Sequence, residues 1–79
     1  MRMHRVVRRL LVLTRPVARA GGILRPTGFP VLLGGTADPR IEFQCGGCAK
    51  VLFIGECASQ LREVLVRCDR CHAYNDTET

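Results

Sequence analysis

Apolar and polar positions alternate in short bursts along the second half of the chain. Residues 41–44, IEFQ, alternate as a half-buried strand does, and 63–67, EVLVR, alternate again with β-branched side chains. Between them, VLFI at 51–54 is a short apolar run that stops at Gly55. The polar stretch GECASQLRE, 55–63, suits a loop or a single helical turn. The order predicted is strand, turn, strand, loop, strand, turn. Its core would draw on Ile41, Phe43, half of the 51–54 run and half of 64–66. The tail, 76–79, offers nothing to bury and is expected to fray.

The first half has a different rhythm. On a helical wheel at about 100° per residue, Val6, Val7, Leu10, Leu11 and Leu13 gather on one side of residues 1–15. Arg2, Arg5, Arg8, Arg9 and Arg15 gather on the other, with Val12 misplaced among them. This predicts a basic amphipathic helix that ends or kinks at Pro16. Residues 16–40 hold all four prolines and five of the eight glycines, punctuation that prevents any long helix or strand. They are expected to form a flexible connection. No segment approaches the ~20 apolar residues of a transmembrane helix. The uncharged run LLVL is too short for a secretory signal.

Charge sharpens this division. The chain carries +5 overall, but residues 1–40 hold eight arginines against Asp38 alone, giving +7. Residues 41–79 hold four cations against six acids, giving −2. The basic character therefore belongs to an arm, 1–40, and not to the segment 41–75. Three readings of the arm stand side by side. It can be an organellar transit peptide or membrane-surface helix, or a segment that binds nucleic acid electrostatically. Its all-arginine bias is also what GC-rich upstream sequence gives when a start codon is assigned too early.

With 79 residues the chain has room for one small domain, and so small a domain commonly needs a staple. Five cysteines are the candidates. Their odd number disfavours a secreted disulfide framework. Cys45-Gly46-Gly47-Cys48 and Cys68-Asp69-Arg70-Cys71 are separated by nineteen residues, within the spacing of a zinc ribbon. Two residues between ligands let a tight turn aim both sulfurs at one ion, and tetrahedral zinc takes four thiolates. The expected fold is a small zinc-stabilised β domain: a zinc ribbon over 41–75, two C-x-x-C turns on short antiparallel strands, with a flexible or partly helical arm. The expected cofactor is one structural zinc ion on Cys45, Cys48, Cys68 and Cys71.

Cys68-x-x-Cys71-His72 also spells a c-type haem attachment site. Haem would leave Cys45 and Cys48 unexplained and would require export. A redox dithiol at CGGC would need a larger thioredoxin-like frame. Zinc is the reading that uses both pairs. His72 is then a solvent-facing neighbour, and Cys57 a leftover: a small hydrophobe or a free loop thiol.

The stretch FQCGGCAKVLFIGECASQLREVLVRCDRCHAYN, 43–75, resembles the Com family, small zinc-ribbon regulators of Mu-like prophages. The likeness lies in KVLF after the first pair, in REVLVRC, in the second pair, and in Asn75 four residues past it. Asp69 and His72 depart from the Pro and Gly common in that family, and the arm is extra. The resemblance implies a cytoplasmic, zinc-dependent regulator that binds messenger RNA to control translation, or DNA to control transcription.

Lys50, Arg62, Arg67 and Arg70 lie beside the cysteine pairs and are the candidate nucleic-acid contacts, with Phe53 or Tyr74 as candidate stacking partners. Four cations among six acids and an anionic metal centre argue against strong non-specific binding by 41–79 alone. A structural or protein-interaction ribbon is therefore the alternative. Catalysis is not expected, because a closed four-thiolate site has no open coordination position.

Overall fold

A computed structural model describes residues 5–15 and 17–77. Its strands are β1 (Val6–Arg9), β2 (Leu11–Leu13), β3 (Ile23–Leu24), β4 (Val31–Leu32), β5 (Ile41–Gln44), β6 (Val51–Gly55), β7 (Leu65–Arg67) and β8 (Tyr74–Asp76). One turn of 3-10 helix, Ala58–Gln60, fills the polar stretch between β6 and β7.

Two antiparallel hairpins form the centre. In the first, β5 pairs with β6, Phe43 standing opposite Phe53, with an irregularity in register at Phe43/Gln44. In the second, β7 pairs with β8, with Val66 opposite Asn75. Each hairpin turns at one C-x-x-C pair, so the alternation read from 41–67 is realised as strands. Phe43, Leu52, Phe53, Leu61, Leu65 and Val66 are buried. Ile41 is only half-buried and packs against this core.

The arm departs from expectation. Residues 6–9 and 11–13 are strands, not one helix, and the first forty residues supply an outer strand to both sides of both hairpins. The orders are β1-β5-β6-β4 and β2-β8-β7-β3. β1 runs parallel to β5, β4 to β6 and β3 to β7, while β2 runs antiparallel to β8. A short isolated helix is marginal in water, and Val6, Val7 and Val12 are stiff, β-favouring side chains. The hairpin edges offer unpaired N–H and C=O groups instead. Edge pairing wins. Leu10 marks the crossing between sheets: it is 4% exposed, and its N–H donates to the Gln44 carbonyl at 2.9 Å.

The tail also differs from expectation where it is described. Asp76 closes β8 and accepts a hydrogen bond from Arg19 at 2.5 Å, and Thr77 Oγ1 donates to the Val64 carbonyl at 3.1 Å. Both residues are buried. The arm supplies the partners, Arg19 and β2, that the ribbon segment alone lacks. The rest of the expected frayed tail, 78–79, lies outside the described residues.

Candidate metal centre

The two C-x-x-C turns are built alike. In the first, Ala49 N–H donates to the Cys45 carbonyl at 2.9 Å and Cys45 N–H to the Lys50 carbonyl at 2.8 Å. In the second, His72 N–H donates to the Cys68 carbonyl at 2.9 Å and Cys68 N–H to the Ala73 carbonyl at 3.0 Å. Reversing the chain this tightly puts the residue after the second cysteine in the left-handed region. Ala49 and His72 both have φ 65° there, where glycine sits without strain.

These turns bring the four sulfurs of Cys45, Cys48, Cys68 and Cys71 within 4.8 Å of one another. Cys45 and Cys71 Sγ are 3.5 Å apart, and Cys48 and Cys68 Sγ 3.6 Å. No disulfide forms among them. Ligands at ~2.3 Å on a tetrahedron stand about 3.8 Å apart, so the group is close to what one metal ion requires. The four cysteines are positioned to hold one ion. Cys57 is exposed, with its Sγ 3.2 Å from Ser59 Oγ, and takes no part. His72 is exposed and is not among the clustered groups.

Around the sulfurs the protein supplies donors. Gly47 N–H points at Cys45 Sγ at 3.3 Å, and Arg70 N–H, at the equivalent place, at Cys68 Sγ at 3.4 Å. Asn75 is fully buried between the two turns. Its Oδ1 accepts from Gly46 N–H at 2.8 Å, while Nδ2 faces the carbonyls of Val66 (3.2 Å) and Ala73 (3.3 Å) and Cys45 Sγ (3.5 Å). Burial pushes the Cys45 thiol up, but donors from the Cys48 and Gly47 backbone, with Asn75 and Cys71, bring it down to about 7. Cys71 goes the other way. The Ala73 backbone lowers it, yet burial and the thiols of Cys45, Cys48 and Cys68 together push it up to about 12. The opposite directions of Cys45 and Cys71 have a common physical cause, thiols crowded together so that a charge on one opposes a charge on the other.

The arm reaches the centre too. Arg9 donates to the carbonyls of Cys45 at 3.2 Å and Gly46 at 3.3 Å. The Leu10 carbonyl occupies the space that a Cβ on Gly46 would need.

The residues expected to face nucleic acid divide. Lys50 is engaged by Asp69, whose carboxyl is held below its ordinary value by Lys50 first and the Gly28 N–H second. Arg62 and Arg70 are exposed and Arg67 is half-buried. Phe53 is 4% exposed, which removes it as a stacking surface, because its ring lies in the core opposite Phe43. Tyr74 is half-buried in β8. Sequence reasoning missed Asn75 as a partner of Cys45, and Arg9 and Leu10 as partners of the first turn. Only Asn75 carried a signal, through its place in the family-like stretch. No helix among the described residues is long and apolar enough to cross a membrane.

Compared with known proteins, the chain matches no family model, no curated protein and no solved structure.

Proposed function

We propose that this chain is a zinc ribbon that binds single-stranded RNA as a cytoplasmic regulator, with zinc on Cys45, Cys48, Cys68 and Cys71. Four thiolates favour zinc among abundant divalent ions, and a site they complete has no position for a reacting water. Its role is structural, and the proposal assigns the protein no catalysis. The resemblance of 43–75 to the Com family supports the regulatory reading, with messenger RNA as the target and DNA as the variant.

The observation that carries it is the pattern of unpaired charge. Among the described acids, Glu42, Asp38, Asp69 and Asp76 are paired with Arg5, Arg40, Lys50 and Arg19. Glu56 accepts from the N–H groups of Ala37 and Asp38. Among the described residues, that leaves Glu63 against Arg15, Arg25, Arg62, Arg67 and Arg70. The sequence placed the basic charge on a separate arm. With the arm laid along both hairpins, that charge belongs to the folded surface. Four thiolates and one divalent ion take two from the +5 of the chain and leave +3. A polyanion is the partner such a surface attracts.

The test is a salt titration of the zinc-loaded full chain against single-stranded RNA. Affinity should fall linearly in log–log form, with a slope of about −0.7 per phosphate neutralised. Binding that ignores salt, or none at all, would remove the proposal. A second reading, a protein-interaction ribbon, is favoured by the outer strands, where Val6, Val7, Leu11 and Leu32 are more than half exposed. Open apolar edges of this kind accept a further strand.

A further inference from the structure

Phe29 is 90% exposed, while Phe43 and Phe53 are buried in the core. Its ring is displayed on a pinned loop. Pro26 is buried, Gly28 turns the chain at φ 72°, and Pro30 restricts Phe29 itself to extended conformations. Gly28 N–H donates to Asp69 Oδ2 at 3.0 Å while Lys50 takes Oδ1. One carboxylate thus fastens the loop to both C-x-x-C turns. Two of the unpaired arginines lie beside this fastening in the chain: Arg25, four residues before Phe29, and Arg70, next to Asp69.

We propose that Phe29 is a stacking platform for one unpaired base of a single-stranded nucleic acid, with Arg25 and Arg70 holding the flanking phosphates. This rests on the nucleic-acid reading above and assigns it a site, on the arm and outside the stretch that resembles a known family. A ring carried on a pinned backbone needs no rearrangement of its loop when a base covers it, and every base offers a face to stack. An apolar protein partner would have no use for two unpaired arginines flanking the anchor of the loop that displays the ring. A polyanion with exposed bases uses both.

The experiment measures binding of fluorescein-labelled oligouridylate and oligothymidylate of about 12 nucleotides, within the span such sites cover. The zinc-loaded full chain is compared with Phe29→Ala, Phe29→Trp, Arg25→Gln and Arg70→Gln. Because the ring projects into solvent, Phe29→Ala should keep its fold and zinc content. It should nevertheless bind about 5- to 100-fold more weakly. Phe29→Trp should retain affinity. As the single tryptophan of a chain that has none, it should lose fluorescence when the oligonucleotide stacks on it. Each arginine variant should make the salt dependence shallower by roughly one phosphate's share. Binding of both oligonucleotides should weaken alike in Phe29→Ala, because a stacking platform uses the face that every base offers. Wild-type binding with an unaffected Phe29→Ala and an unquenched Phe29→Trp would overturn the platform and leave the wider reading standing. Absence of binding by the wild type would overturn both.

Discussion

Asn75 holds the metal centre together more than any residue outside the cysteines. Its amide spans both turns, accepting from Gly46 and facing Cys45 Sγ from within the second hairpin. Asn75→Ala strands the Gly46 N–H and takes a donor from the Val66 carbonyl, while the Ala73 carbonyl keeps the Cys68 N–H, so it should destabilise by about 1–3 kcal/mol. It should also weaken the metal by roughly 10- to 100-fold, the usual effect of losing an outer partner. Competition with a chromophoric chelator measures the second number, and unchanged affinity would deny Asn75 that role. Ala49 and His72 predict in the other direction. Both sit at φ 65°, so replacing either by glycine should stabilise by about 1 kcal/mol in denaturant unfolding. At this scale the ligands were legible, since the spacing of C-x-x-C is itself a geometric statement. The amide partner was not. Asn75 meets Cys45 across thirty positions, and no local pattern encodes such a meeting.

The hairpins and the arm carried different amounts of information at the level of elements. IEFQ alternates because Phe43 faces the core and its neighbours do not, whereas Leu65 and Val66 are both buried and β7 is marked by β-branched, apolar residues instead of by alternation. Ile23–Leu24 and Val31–Leu32 are two-residue strands with no period to read. They exist because β7 and β6 present free edges to them. Residues 6–13 fit a helical wheel, and only the presence of β5 and β8 makes the extended form preferable. The arm is thus a consequence of the hairpins. It is buried at Leu10, whose carbonyl lies against Gly46. Leu10→Ala should cost about 2–5 kcal/mol as a buried leucine truncation. Gly46→Ala should force the same crossing outward and free Leu10 N–H from Gln44, while the four cysteines still bind one ion. Amide exchange at Leu10 would report both changes, and protection persisting in Gly46→Ala would show that the arm does not depend on this contact.

The whole molecule turns on the order of dependence among its parts. No arm strand pairs with another arm strand: each pairs with one hairpin strand. Val66 of the second hairpin joins Phe43, Leu52 and Phe53 of the first in one core cluster, and the two turns meet at the sulfurs. A structural zinc ion in a comparably small domain contributes ~10–16 kcal/mol, which is as large as the whole stability of an ordinary domain. Removing the ion should therefore release the hairpins and the arm in one transition, not the metal turns alone. Purified protein should carry one zinc per chain. A strong chelator should abolish exchange protection at Cys45 N–H, within the first turn, and at Leu10 N–H, on the arm, with the same midpoint. Acid should do the same, because the ligand thiols must shed their protons to bind and take them up again as the pH falls. Returning zinc at neutral pH should restore both signals together. If chelated protein keeps the Leu10–Gln44 bond while the turn opens, the arm and hairpins hold each other without the ion. The metal would then be an ornament on a fold that stands by itself.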